Sequence, residues 1–469
     1  MTLTATVFEY ETYQASTIFL RVVEYSDGSM EGLASVIIDE MPEREIPWRK
    51  VLGFGSDGAS VMTWLDKGVT GRLKEHNPHI LNVHCMAHRL ALCTAQAAES
   101  IPALKKYQTW MTQLFYYFKA SADRENEVHK IQDILDHPKL KYKEIHAVRW
   151  LSFYEALDAI YRTLDPLITY LHNREGKKDP KAKGLLKPLC TTQFLYITCL
   201  MMDVLPIVMK LCLTFQKEDL DVAKAKISLD LCLNDLESYK DGTMMTHDTH
   251  VMMYETDVIL KEGHHEFKGH RIAATPGANL TSLKNKFVNA LVSNIRKRFP
   301  EKSLLDRFYV LAMRTINFEK DLATYGVEEV EKLLKYYGEE KSHKAIPSAP
   351  VLSKKLVREQ WMEVKSIVKS AMYPTDDMQS LWKLLITHLR EELGEIIKLG
   401  QIAVTLPLHT ANCERVFSQQ NIILTKQRNR LSHEVSDRLL RIRLCKDKTV
   451  DSDNCLAKWR SLKKRIIKS

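Results

Sequence analysis

A chain of 469 residues, 45% hydrophobic and 27% charged, can bury at least one substantial core, which excludes a disordered chain, and its length suggests about two to four structural units. Lys and Arg outnumber Asp and Glu by 68 to 59, a formal charge of +9 that tolerates a polyanionic partner without demanding one. Nine cysteines with no CxxC pair and no regular ladder argue against a disulfide framework and a structural zinc module, and point to the cytosol or nucleus.

The opening MTLTATVFEYETYQ lacks the basic and apolar blocks of a signal peptide, so secretion is not expected. IFLRVVEY, from Ile18 to Tyr25, is rich in β-formers and runs into Ser26-Asp27-Gly28, the signal of a strand and a turn. Glu31 to Glu40 reads as a helix. VLGFGS, from Val51 to Ser56, is a short apolar run closed by Asp57-Gly58, the pattern of a buried strand whose C-terminal end presents a carboxylate. A helix from about Ala59, a strand from Ile80 to Val83 and a helix from about Ala87 complete an alternating α/β stretch.

From about Ile101 to Gly400 the periodicity is helical, as where Ala156, Ile160, Thr163, Leu164, Leu167 and Ile168 share a face, and strand signals almost vanish. Asn173–Lys187, Ala273–Asn279 and Lys341–Ser353 read as loops. Phe194 to Phe215 is apolar enough to raise a membrane question, but Asp203, Pro206 and Lys210 would sit in the bilayer. A buried helix pair broken near Pro206 is the expectation, with no membrane partner. His247, His250, His264, His265 and His270 form a local concentration, but their spacing lacks the i, i+4 pairing of zinc hydrolases and does not predict a metal site.

The last section runs through Leu406–Phe417, Ile422–Leu424 and a basic turn at Lys426–Arg430 into a helix capped by Ser432, with Glu434 in its first turn. Val435, Leu439, Leu440 and Ile442 are read as its apolar stripe. The tail Lys463-Lys464-Arg465 and Lys468 suits a nuclear localisation signal, a phosphate-contacting patch or a solvated terminus.

Four segments in this order resemble the hAT transposase superfamily, especially its domesticated vertebrate nuclear relatives. They are LGFGSDGASVM at Leu52–Met62, VHCMAHRLAL at Val83–Leu92, AVRWLS at Ala147–Ser152, and TANCERVFSQQNIILTKQRNRLSHEVSDRLL at Thr410–Leu440. The resemblance implies an α+β, mostly α chain: an RNase H-like mixed sheet core interrupted by a large all-helical insertion, with a helical C-terminal dimerisation block. The expected division is a partial core at 1–150, the insertion at 151–400, core completion and dimerisation at 401–450 and a basic tail at 451–469.

By the same resemblance Asp57 and Glu414 are catalytic carboxylates, Glu414 folding back beside Asp57, and Cys85 with His88 forms the family's CxxH motif. Arg149 and Trp150 match its DNA-contacting Arg-Trp pair, and Val435, Leu439, Leu440 and Ile442 would supply the dimer face. Such a core holds two divalent ions, Mg²⁺ or Mn²⁺, on hard oxygen ligands. It needs a third carboxylate, the family's first aspartate, yet Met1 to Ser26 contain no aspartate, and Glu9 or Glu11 is only a makeshift substitute.

Read without the resemblance, Asp57 is a helix cap at a strand-to-helix turn and Glu414 a surface charge. Cys85 and His88 are then a packed pair at a sheet edge, Trp150 a core residue beside a snorkelling Arg149, and Leu440 part of an intramolecular helix face. The expectation is a transposase-derived nuclear protein with a defective core, acting through self-association and through DNA or other nuclear proteins. An active hAT transposase whose chain extends upstream, and a pure interaction scaffold, are the alternatives.

Overall fold

Thr2, Thr4 and Thr6 alternate with Leu3, Ala5 and Val7, a period of two that suits a strand with one face inward. In the computed structural model they lie in β1 (Thr2–Glu9), which pairs antiparallel with β2 (Gln14–Val22) in a register running from Thr2 opposite Val22 to Glu9 opposite Gln14. The structure describes all residues except 24–26, 60–61, 63–67, 145–149, 244–248, 302, 344–345, 426–427, 429, 445–450 and 462–469. The expected strand at Ile18–Tyr25 is thus the second arm of a hairpin whose first arm the reading missed.

Helix α1 (Met30–Glu43) starts where the Ser29 side chain accepts from Gly32 N. Strand β3 (Gly53–Ser56), helix α2 (Val69–His76) and strand β4 (Leu81–His84) form a crossover with β3 and β4 parallel, Gly53 opposite Leu81 and Ser56 opposite His84. Most of the helix expected from Ala59 lies outside the described residues.

The hairpin and the parallel pair share their covering layers. Leu3 and Phe54 both pack against Ala34, Ile37 and Met41 of α1 and Val69 and Leu73 of α2. Among the described residues no ladder hydrogen bonds join the two ribbons.

Helices α3 (Met86–Glu99), α4 (Pro102–Lys119) and α5 (Ala122–Ile134) lead into a helical body whose large apolar cluster spans residues 83–408. The face read from Ala156 to Ile168 is buried throughout, but it is shared by α6 (Trp150–Arg162) and α7 (Leu164–Gly176). Pro166 lacks a donor and would crowd the carbonyl of Arg162, which explains the break at Thr163.

The expected loop at Asn173–Lys187 is mostly helical. After Lys178 takes a left-handed φ of 62°, Asp179 accepts from Lys181 N and Ala182 N and Pro180 opens α8 (Pro180–Leu189).

Helix α9 (Thr192–Thr214) corrects the expected break at Pro206, since it runs through the proline unbroken. Phe194, Ile197, Leu200 and Val204 are fully buried and Leu205 and Val208 nearly so. Each such side chain contributes about 1.5–3 kcal/mol, enough together to outweigh the roughly 3 kcal/mol cost of an interior proline. The helix is long and apolar enough to cross a membrane by length and composition, and most of that stretch is buried inside the protein.

Helices α10 (Val222–Asp241) and α11 (His250–Asp257) precede a second correction. Strands β5 (Val258–Lys261), β6 (His264–Phe267) and β7 (His270–Ile272) form an antiparallel meander where no strand was expected. Its turns, Glu262-Gly263 and Lys268-Gly269, pair φ values of 48° and 81° each, the geometry of tight two-residue hairpins. Ala273–Asn279 is a loop ending in the Asn279 cap of α12 (Leu280–Arg298).

After α13 (Val327–Tyr337), the Lys341–Ser353 stretch contains the short pair β8 (Lys341–His343) and β9 (Ile346–Ser348) as well as loop. Helices α14 (Lys354–Ser370), α15 (Met378–Leu389) and α16 (Gly394–Thr405) finish the body, and α17 (Ala411–Ile423), α18 (His433–Leu444) and α19 (Ser452–Ser461) follow. The protein is mostly helical with small sheets.

Candidate functional site

Gly53 and Gly55 lie two apart and so share one face of β3. A Cβ at Gly53 would stand 2.8 Å from Pro407 Cδ, and one at Gly55 2.8 Å from the Pro407 carbonyl oxygen. The bare strand therefore lets the chain from Leu406 to Leu408 lie directly on it.

Three hydrogen bonds hold that arrangement. Cys85 N donates to Ser56 O (2.8 Å), Met86 N to Leu408 O (3.0 Å) and Thr410 N to Cys85 Sγ (3.4 Å). Asp57 follows Ser56, and Glu414 lies one helical turn beyond Thr410. The structure thus brings the C-terminal block back to the end of β3, with Cys85 buried between the two segments. The tip of α9 joins them: burial pushes the Cys212 thiol up to about 11, and Cys85 and Glu414 add to the shift.

Both carboxylates are exposed, and Asp57 Oδ1 accepts from Ala59 N at 3.2 Å, a local turn of the kind aspartates make without any ligand. Gly58 has φ of +79°, and a Cβ there would overlap the His84 ring. Sequence reasoning missed His84. Burial, then the nearby Arg89, His88 and Arg298, push its pKa down to about 4, so the imidazole is neutral at physiological pH. His88 tilts against it with ring centroids 5.6 Å apart. Arg89, drawn down to about 10 by burial, donates to Arg298 O at 2.9 Å and stacks 4.5 Å over Phe299. The surroundings of Asp57 are accordingly rich in basic groups. The GFGSDG string, with glycines two and three apart, was the signal that backbone and ring approach closely here.

Neither makeshift glutamate joins this site. Thr4 Oγ1 meets Cys413 Sγ at 3.4 Å, which places α17 at the start of β1. Glu9 stands about 16 Å farther along the strand at the usual rise of ~3.3 Å per residue. There its carboxylate is engaged by Thr12 of the hairpin turn and Ser16 of β2, and Glu11 lies in that turn. Among the described residues no group of three or more His, Cys, Asp or Glu side chains is gathered ready to hold a metal ion. Two carboxylates with no third can bind water or a single exposed cation, but they do not fix a pair of divalent ions.

Arg149 lies outside the described residues, as do His247, the end of the basic tail with Lys463, Lys464, Arg465 and Lys468, and most of the Lys426–Arg430 turn; Trp150 is the first residue of α6. His250 is hydrogen-bonded to Asp203, whose side chain is 6% exposed, and His264 and His265 sit on β6.

Ser432 Oγ accepts from Val435 N at 3.3 Å and caps α18. The stripe read on α18 needs correction. At about 100° per residue, Val435, Leu439 and Ile442 fall within one narrow arc and Leu440 lies well off it. Leu440 is fully buried with Val22, Val416 and Ile423, and Leu439 packs half-buried at the edge of that cluster. Val435 (41% exposed) and Ile442 (72%) face outward. Arg415 ties α17 to the helical body through Glu218 (2.7 Å) and Gln216 O (2.8 Å). No protein-family model matches the chain.

Proposed function

We propose that this chain is a transposase-derived nuclear protein of the hAT type. On this reading β1–β4, α1, α2 and α17 descend from an RNase H-like core, and the helical body is the insertion that separates its acidic residues. The core no longer assembles a two-metal centre, and the protein acts through self-association and through DNA or other nuclear proteins. Asp57 and Glu414 are then vestigial ligands. If a divalent ion is retained, their hard oxygens suit Mg²⁺ or Mn²⁺, which would polarise a phosphodiester oxygen or bound water.

The observation that carries this reading is the return of the chain at Leu406–Thr410 onto Gly53, Gly55 and Cys85. Two segments more than 300 residues apart meet at the strand end that bears Asp57, as a core split by an insertion requires. The apolar pair Val435 and Ile442, left outward on α18, supports self-association through that helix.

The test combines calorimetry of Mg²⁺ and Mn²⁺ on the chain and on Asp57→Ala and Glu414→Ala with light scattering of the wild type and of a Val435→Asp, Ile442→Asp double variant. The expected result is a dimer that the double variant dissociates, with no saturable ion uptake dependent on both carboxylates. Saturable Mn²⁺ uptake abolished by either alanine would replace the defective core with a working metal centre. A wild type that stays monomeric at micromolar concentration would overturn the self-association.

A further inference from the structure

We infer that β5 is a self-pairing edge, which joins antiparallel to the β5 of a second copy of this chain and so fuses two meanders into one sheet. The inference stands on the meander alone and depends neither on the proposed function nor on α18.

The backbone register shows which edge of the meander is open. Lys261 and His264 flank the two-residue turn at Glu262-Gly263 and form its closing hydrogen-bonded pair. Bonded and non-bonded pairs alternate along an antiparallel ladder, so Ile259, opposite Glu266, also bonds to β6. Leu260 then directs its N–H and C=O away from β6. Val258 does the same with its C=O, while its N–H is held by Tyr254 O at the end of α11. By the same alternation Ala273 faces outward beyond β7, and there the chain covers it: Ala273 N donates to Cys190 O (2.8 Å) and Thr192 N to Ala273 O (3.0 Å). Among the described residues nothing comparable lies along β5.

The open edge is also apolar. Ile259 is 50% exposed and Leu260 71%, one on each face of the strand, and Met252 and Met253 on α11 are exposed as well. Unpaired backbone groups flanked by large apolar side chains are a template for another strand, which soluble proteins commonly blunt with lysine, proline or a covering loop.

Charge selects which strand fits. Asp257 precedes β5 and Lys261 ends it, and both are exposed. Lys261 lies 3.5 Å from Glu266 on β6 and still has 58% of its side chain open to solvent. Two copies of β5 laid antiparallel bring the acidic end of each beside the basic end of the other, twice by symmetry. Laid parallel, they set like charge against like. Four residues a side bury far less than the roughly 1,200 Å² of a stable interface, so the pairing is weak and appears well above micromolar concentration.

Sedimentation equilibrium of the full chain carrying Val435→Asp and Ile442→Asp reads β5 without α18. The expected result is a monomer at micromolar concentration that shifts toward dimer at submillimolar concentration. Added to that chain, Leu260→Lys should abolish the shift, as should Leu260→Pro, which removes an N–H that the intrachain ladder does not use. Asp257→Lys and Lys261→Glu should each weaken pairing about fivefold or more, by turning both end contacts repulsive. An equimolar mixture of those two charge variants should recover a dimer, because each then meets its opposite. Circular dichroism establishes that the variants are folded, and the mixing arm decides the question should a Leu260 variant unfold. A monomer at every concentration would leave the edge to a foreign strand and overturn the self-pairing. Dimerisation that survives Leu260→Lys or both charge reversals, or a mixture that recovers nothing, would place the contact elsewhere and overturn it as well.

Discussion

Helix α18 carries two kinds of apolar residue, and substituting one of each separates inward packing from outward association. Leu440 is fully buried among Val22, Val416 and Ile423, so Leu440→Ala removes a core side chain from a small cluster with little room to collapse. The expected cost is about 2–5 kcal/mol. The same cluster is clamped by Asp437, which accepts from Val22 N at 3.0 Å and from Arg441 Nε at 2.7 Å. Arg441 in turn lies 5.3 Å over Phe19 and donates to Leu20 O. Losing Leu440 should therefore loosen β2 as well as α18. Ile442→Asp, at a position 72% exposed, should change stability by no more than about 0.5 kcal/mol. Amide hydrogen exchange followed by mass spectrometry reads both regions separately. Faster exchange across residues 14–22 and 433–444 in Leu440→Ala, with no change there in Ile442→Asp under monomeric conditions, is the expected pattern. Equal effects of the two substitutions, or none from Leu440→Ala, would refute the assignment of faces.

Gly58→Ala should destabilise the protein by about 2–5 kcal/mol, from a left-handed backbone costing ~1–2 and overpacking against His84 costing ~1–3. A Gly58→Ala, His84→Ala pair should recover part of that loss in a denaturation double-mutant cycle; strictly additive losses would mean that the ring is not the obstacle. His84 binds its proton more weakly in the folded state, at about 4 against an ordinary 6.5, so its contribution is complete above pH 6.5 and is lost as pH falls toward 4. His79 and His409, also lowered by burial, act with the same sign. His84→Gln should flatten the acid side of the urea-midpoint profile, and identical slopes with and without the imidazole would dismiss the idea. Asp203 accepts from Tyr239 OH and from the His250 and Val251 amides, besides meeting His250 Nδ1 at 2.8 Å. Asp203→Ala should cost about 3 kcal/mol or more and melt α11 first, which protease cleavage within residues 250–257 would reveal. Arg415→Ala breaks an exposed pair with Glu218 and should cost no more than about 1 kcal/mol; a much larger loss would make that contact the main anchor of α17.

Local periodicity and caps were enough to read β3 with Asp57 at its end, the buried face from Ala156 to Ile168, and the Ser432 cap of α18. Each depends on residues a few positions apart, and their spacing is written in the chain. The meander at Val258–Ile272 was legible in principle, because Glu262-Gly263 and Lys268-Gly269 are tight-turn pairs, but its arms of three or four residues are too short for alternation to stand out. The unbroken α9 was not legible: the local cost of Pro206 is visible in sequence, whereas the burial that outweighs it comes from other helices. The same division runs through the sites. Glycines at 53, 55 and 58 announce that something approaches closely, but only the tertiary fold identifies Pro407 and His84 as what approaches. Only the fold also turns Leu440 inward and Ile442 outward. Those outcomes depend on contacts between segments tens to hundreds of residues apart, for which a single chain's spacing carries no record.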